Sequence, residues 1–148
     1  MKSKLHTLSG RTKRAAQAQD PVTLSEENGL RFLHFGSEWV QGAMRIKKPF
    51  DLEIEYTRDM MAWEQYIRNP EHIVQLGLGA ASLTKYCWKY YPNTRVTAIE
   101  INPAVVQCAR QFFKLPPDDE RLRVIIEDAG SWVSDIHHRN CCDVLQID

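Results

Sequence analysis

No apolar run in this 148-residue chain approaches the ~18–20 residues that a membrane-spanning helix requires. The N-terminus also lacks the apolar core of a secretory signal. Neither charge is in surplus. The 19 Lys and Arg balance 19 Asp and Glu, which argues against a general nucleic-acid binder, whose surface would carry a basic excess. Cysteine is scarce: Cys87, Cys108, Cys141 and Cys142 form no Cys-x-x-Cys unit and match no zinc-ligand spacing. His137-His138 beside Cys141-Cys142 does not alter this, because adjacent side chains diverge and make a poor ligand set. With no export signal, the thiols are expected to stay reduced in a cytoplasmic protein. What is present, 43% hydrophobic and 26% charged residues, is the composition of a globular domain rather than of a disordered chain.

The charge balance is a cancellation. Residues 1–20 hold Lys2, Lys4, Arg11, Lys13 and Arg14 against Asp20, leaving that segment at +4 and residues 21–148 at −4. The basic segment has no periodicity and is expected to be a disordered tail. Residues 29–56 read as a small antiparallel β-hairpin region. Leu30–Phe35 alternates imperfectly, Gly36-Ser37 marks a turn, Glu38–Met44 follows, and Leu52–Tyr56 alternates cleanly. Residues 57–72 predict a linking helix, with Met60, Trp63 and Ile67 on one stripe and Pro70 as its stop.

From residue 73 the period changes. Ile73–Leu76, Val96–Glu100, Leu122–Ile126 and Asp143–Ile147 read as short apolar strands. Between them lie helical stripes: Leu83, Tyr86, Cys87 and Tyr90; then Val105, Cys108, Ala109 and Phe112 behind the start signal Asn102-Pro103; then Trp132, Val133 and Ile136. Strand–helix alternation predicts an α/β domain with a mostly parallel sheet and helices on both faces, over residues 73–148.

Three features fall at strand ends. Gly77 and Gly79 stand at a strand-to-helix turn, where glycine lets the backbone turn tightly and approach a ligand. Glu100 ends the next strand, 23 residues after Gly77; a carboxylate there can accept both hydroxyls of a ribose. Asp128 follows the third strand, where a carboxylate can accept from an adenine amino group. In an open α/β sheet the ligand crevice lies beyond the carboxyl ends of the strands, so the three converge. Ser82 replaces the third glycine of the dinucleotide motif. With Asn102-Pro103 after Glu100 and Ala129 after Asp128, this favours an adenosyl-sulfonium ligand over a nicotinamide dinucleotide.

On these residues the sequence resembles the spermidine synthase (polyamine aminopropyltransferase) family, in its bacterial spermidine-synthase-like branch. The resemblance covers residues 29–148. It is carried by Leu33–Gly42, Glu55-Tyr56, Leu76–Gly79, Glu100–Pro103, Glu127–Ala129 and Asp143–Asp148. It implies the Rossmann-like fold of class I S-adenosylmethionine (SAM)-dependent methyltransferases behind an N-terminal hairpin region. It implies an S-adenosyl substrate, decarboxylated SAM or SAM, and aminopropyl transfer to an amine such as a polyamine; it also admits a homodimer. Gln41, Gly77, Gly79, Glu100, Ile101, Asp128 and Ala129 would bind the adenosyl ligand, Tyr56 would line the polyamine pocket, and Asp148 would be the proton acceptor, the first Asp of a D-x-x-D motif. The family's second Asp, its proline-rich lid and three further strands would lie beyond Asp148, so the domain is expected to be incomplete after its fourth core strand. Ala80 stands where the family has an amine-binding Asp, and Thr57 and Arg58 where it has His and Glu. Ala80 and an Arg-bearing pocket would suit intact SAM, so a SAM-dependent methyltransferase is one alternative reading. A non-catalytic adenosyl-binding or interaction module is another.

Overall fold

The computed structural model describes residues 21–148, so the expected basic tail lies outside the described residues. The first element is a strand absent from the sequence reading, β1 (Val22–Glu27), paired antiparallel with β2 (Leu30–Phe35). Asn28 and Gly29 join them with φ of 51° and 79°, the left-handed pair that a two-residue hairpin turn demands and that Asn-Gly adopts readily. β3 (Val40–Arg45) pairs with the other edge of β2 through an irregularity at Leu33/His34, giving the order β1-β2-β3.

The alternating stretch Leu52–Tyr56 does not become a strand. A short helix, α1 (Glu55–Asp59), and a 3₁₀ turn at Ala62–Gln65 stand where extended chain and then one continuous helix were expected. Local hydrogen bonding is the reason. The Arg58 guanidinium donates to the carbonyls of Leu52 (3.1 Å) and Glu53 (2.8 Å), and both the amide and the hydroxyl of Thr57 donate to Ile54. The carbonyls that a neighbouring strand would need are already engaged.

The remainder alternates as the period predicts. β4 (His72–Leu76), α2 (Ser82–Tyr90), β5 (Arg95–Glu100), α3 (Pro103–Phe112), β6 (Leu122–Ile126), α4 (Ala129–Ser134) and β7 (Val144–Ile147) build a parallel sheet in the order β6-β5-β4-β7. The Asn102 side chain caps α3 by accepting from the Ala104 amide at 2.9 Å, with Pro103 at the first helical position. Ile73, Val96, Ala98 and Leu122 meet Leu83, Cys87, Val105 and Ala109 on one face of the sheet; Val74, Leu76 and Ile99 meet Trp132 on the other. The chain steps from β4 out to β5 and β6, then returns to add β7 on the opposite side. That reversal opens a crevice beyond β4 and β7, and the residues that follow those two strands are Gly77 and Asp148.

The small sheet packs on this domain through Leu33 and Met44 against Ala80, Cys108 and Phe113. Fully buried Lys85 of α2 secures the same junction, donating to the carbonyls of Pro49, beyond β3, and Phe113, beyond α3, both at 2.7 Å. No helix among the described residues is long and apolar enough to cross a membrane.

Candidate functional site

The loop after β4 turns through left-handed backbone at Gly77 (φ +97°), Gly79 (φ +53°) and Ala81 (φ +58°) before α2 begins. Gly77 is fixed doubly. Its φ disfavours any side chain, and a Cβ there would fall 2.9 Å from the Asp148 carbonyl oxygen. Its amide donates to Ile99 of β5 at 2.8 Å, so the loop is held to the neighbouring strand end.

Glu100 is nearly buried, and its carboxylate organises the crevice. One oxygen accepts from the Leu78 amide in the glycine loop (3.1 Å), the other from the Asn102 amide that leads into α3 (2.8 Å). Each oxygen keeps a second acceptor site for a ligand hydroxyl. Asp128 caps α4: its Oδ1 accepts from the amide and hydroxyl of Ser131 at 2.8 and 3.1 Å. No partner of its Oδ2 occurs among the described residues. The helix-cap role that any Asp can fill there and the ligand role that the resemblance implies are therefore compatible, one oxygen for each.

Gly77, Glu100, Ile101, Asp128, Ala129 and Asp148 line one cleft of about 260 Å³. Gln41 and Tyr56 are not in it. They line a far smaller space of about 10 Å³ that shares Gly77 and Asp148 with the cleft and lies between the small sheet and the glycine loop. Gly79 lines neither; it lies against the backbone of Gln41, with the Gln41 carbonyl oxygen 3.7 Å from where a Cβ would stand. The sequence-marked positions other than Gly79 thus line two neighbouring chambers that share Gly77 and Asp148. A larger cavity of about 580 Å³ opens on the α4 face, lined by His72, Arg95, Thr97 and Trp132 among others. It lies toward the N-terminal ends of β4 and β5, away from the strand ends where ligands of such sheets bind.

At the junction the Tyr56 hydroxyl faces Asp148 Oδ2 at 3.4 Å, a long contact. Burial, then the nearby Asp148 charge and the hydrogen bond to it, push the Tyr56 phenol up to about 12. Burial also raises the Asp148 carboxyl above the ordinary Asp range, and the Tyr56 hydroxyl partly opposes this. Among the described residues, no Arg or Lys lines either chamber. Arg58, expected to give the pocket a cation, is instead engaged by the Leu52 and Glu53 carbonyls.

The sequence reading passed over three buried polar residues beneath the narrow chamber: Gln75 of β4, Thr84 of α2 and Gln146 of β7. A signal was available, since Ile-Val-Gln-Leu and Val-Leu-Gln-Ile carry Gln at the same place in two otherwise apolar strands.

No family model matches the chain. A polyamine aminopropyltransferase of Neisseria meningitidis serogroup A is 38% identical over 128 residues, covering 86% of this chain and 48% of that protein. A probable spermidine synthase from Corynebacterium glutamicum superposes with a TM-score of 0.63 at 20% identity, over 77% of this chain and 43% of that one. Human methyltransferase-like protein 13, solved in complex with SAH, superposes with a TM-score of 0.59 at 25% identity, over 65% of this chain and 48% of that one. The architecture is therefore the Rossmann-like fold common to spermidine synthases and SAM-dependent methyltransferases. Within that class the chain is a homologue of the polyamine aminopropyltransferases, the spermidine synthase family. It spans about half the length of the curated relatives it matches.

Proposed function

We propose that the cleft binds decarboxylated SAM, its tail directed toward the small space beside Tyr56 and Asp148, and serves aminopropyl transfer to an amine, a polyamine in keeping with the name of the relatives. The observation that carries this reading is the charge of the lining. Among the described residues Glu100, Asp128 and Asp148 face the two chambers, and no Arg or Lys does. Decarboxylated SAM is doubly cationic, through its sulfonium and its tail ammonium. Intact SAM adds a carboxylate that would meet acids and no cation, and an unpaired charge in a confined site is costly.

In this reading Glu100 accepts the ribose hydroxyls, Asp128 Oδ2 accepts from the adenine amino group, and Ile101 and Ala129 supply apolar wall. Gln41 borders the donor tail, and Tyr56 stands beside the acceptor. Asp148 takes a proton from the acceptor amine as its nitrogen bonds to the carbon beside sulfur. The C–S bond breaks with its electrons returning to sulfur, which leaves a neutral thioether. The raised Asp148 carboxyl suits this role, because a base nearer the pH of the reaction shares its proton more effectively.

A methyl transfer from intact SAM is the second reading. It is favoured by Ala80 in place of an amine-binding acid, and by the likeness to methyltransferase-like protein 13. Titration calorimetry with the two donors separates them. Tighter binding of decarboxylated SAM is the expected result; tighter binding of SAM overturns the aminopropyl reading.

A further inference from the structure

We infer that Gln75 and Gln146 are positioning residues: together with Thr84 they form a directional hydrogen-bond chain that holds Asp148 of the β7 end against Tyr56 of α1. This rests on the proposed function for its significance, but its geometry stands alone. Gln75 and Gln146 are register partners on adjacent parallel strands, 2% and 4% exposed. The Gln146 amide nitrogen donates to the Met60 carbonyl at 2.9 Å. Met60 closes the turn that begins at Tyr56, its own amide donating to the Tyr56 carbonyl at 2.9 Å. Gln75 Nε2 donates to Gln146 Oε1 at 2.8 Å, and the Thr84 hydroxyl donates to Gln75 Oε1 at 2.6 Å.

The direction of this chain is forced. A backbone carbonyl can only accept, so Met60 fixes which way the Gln146 amide faces. That fixes Gln75, which in turn makes Thr84 the donor. The chain therefore runs from α2, behind the glycine loop, across β4 and β7 to α1. Its three side chains line the narrow chamber that also contains Tyr56 and Asp148. Two residues beyond Gln146, Asp148 leaves the strand on the same side.

Packing alone does not account for the chain. Buried polar networks rarely stabilise more than well-packed apolar side chains of the same size, and a half-satisfied one is worse than none. Neighbouring positions in the same strands are Val, Leu and Ile. What glutamine adds is a fixed register between the three elements that bring Gly77, Asp148 and Tyr56 together.

The test compares the wild type with Gln75→Leu/Gln146→Leu, which removes both amides and leaves only the chain's two ends, the Thr84 hydroxyl and the Met60 carbonyl, without these partners. Gln146→Leu, which cuts the link to Met60 while keeping the Thr84–Gln75 bond, and Thr84→Ser serve as the single break and the conservative control. The ligand-independent readout is the Tyr56 ring ¹³Cζ signal, which should follow Asp148 as it titrates in the wild type and Thr84→Ser. That inflection should disappear in the double variant and in Gln146→Leu. The ligand readout is the affinity for decarboxylated SAM against that for adenosine. It should fall about tenfold for the donor, the weight of one hydrogen bond, and stay within about twofold for adenosine. A double variant that folds and keeps both the inflection and the affinity ratio overturns the inference. If the double variant does not fold, Gln146→Leu decides it by the same readouts. Failure of decarboxylated SAM to bind the wild type counts against the proposed function and leaves the ¹³C titration to decide this inference.

Discussion

Replacing Glu100 by glutamine changes one oxygen to an amide nitrogen in a nearly isosteric side chain, so it isolates the carboxylate from its packing. The wild-type group accepts two backbone amides on opposite sides, Leu78 at 3.1 Å and Asn102 at 2.8 Å, and is only 9% exposed. Glutamine can accept one of them through its carbonyl; the other N–H then faces an NH₂ donor. Losing a charge-assisted hydrogen bond costs about 1.5–3 kcal/mol, and leaving a buried donor unpaired costs about 1–3 kcal/mol. The two overlap, so Glu100→Gln is expected to destabilise the unliganded protein by roughly 2–4 kcal/mol. At this size that corresponds to roughly 4–16 °C in melting temperature. Urea denaturation and scanning calorimetry measure it. A loss below about 0.5 kcal/mol would show that the carboxylate does not hold the glycine loop to the start of α3 and would refute the reasoning. A second arm titrates adenosine and adenine. Adenosine should lose about 1.5–3 kcal/mol of affinity and adenine none, because the carboxylate is assigned to the ribose alone.

Asp128→Ala should cost about 1 kcal/mol of stability as a lost helix cap and about 1–3 kcal/mol of adenosyl affinity; unchanged affinity by calorimetry would remove Asp128 from the site. In Gly42→Ala, a new Cβ would stand 2.6 Å from the Ala80 Cβ, so denaturation should show a loss of about 1–3 kcal/mol from overpacking. Asp148→Asn should flatten the pH dependence of decarboxylated SAM binding. In the wild type that affinity should fall on acidification through the raised carboxyl titration of Asp148, earlier than for an ordinary Asp. Burial lowers the Lys85 ammonium from 10.5 to about 8, so between these values the unfolded chain holds more protons and stability rises with pH. The gap corresponds to roughly 3 kcal/mol, fully lost below about pH 8. Cys87, which burial raises to about 12, contributes in the opposite sense. The difference between wild type and Lys85→Met as a function of pH therefore isolates the lysine, and a flat difference would refute its assignment.

What the sequence made legible follows a physical divide. The glycine turn, the Asn102-Pro103 helix start, the acid at the end of β5 and the acid opening α4 are local signals. Each is set by backbone conformation or by the first turn of a helix, and each is in place. That Gly77, Glu100 and Asp128 line one cleft also followed from the sequence, because parallel strands present their carboxyl ends on one side. The hairpin region was read less well. Asn28-Gly29 is a strong turn signal between alternating residues, and using it would have revealed β1. Leu52–Tyr56 misled because alternation reports which side chains are apolar, not where the carbonyls find donors; Arg58 and Thr57, within six residues of those carbonyls, supply them instead. The glutamine chain joins residues up to 86 positions apart, and no local pattern specifies such a partner.

The substituted positions change meaning once the packing is known. Read alone, Ala80 is a missing carboxylate and Arg58 a gained cation, and together they point toward a ligand with a carboxylate of its own. In the fold Arg58 is withdrawn to the Leu52 and Glu53 carbonyls, so that half of the case disappears. Ala80 is 3% exposed, and Gly42 of β3 lies so close that a Cβ there would stand 2.6 Å from the Ala80 Cβ. The small sheet therefore sits directly on the glycine loop, and an acid at position 80 would be buried there against apolar neighbours at high cost. Among the described residues Asp148 is the one carboxylate lining the narrow chamber. In the proposed reading a donor tail ammonium directed at it would meet the same group assigned to accept the acceptor's proton, with Tyr56 beside it. Donor recognition and proton transfer would then converge on one side chain, and the register that holds Asp148 in place would govern both.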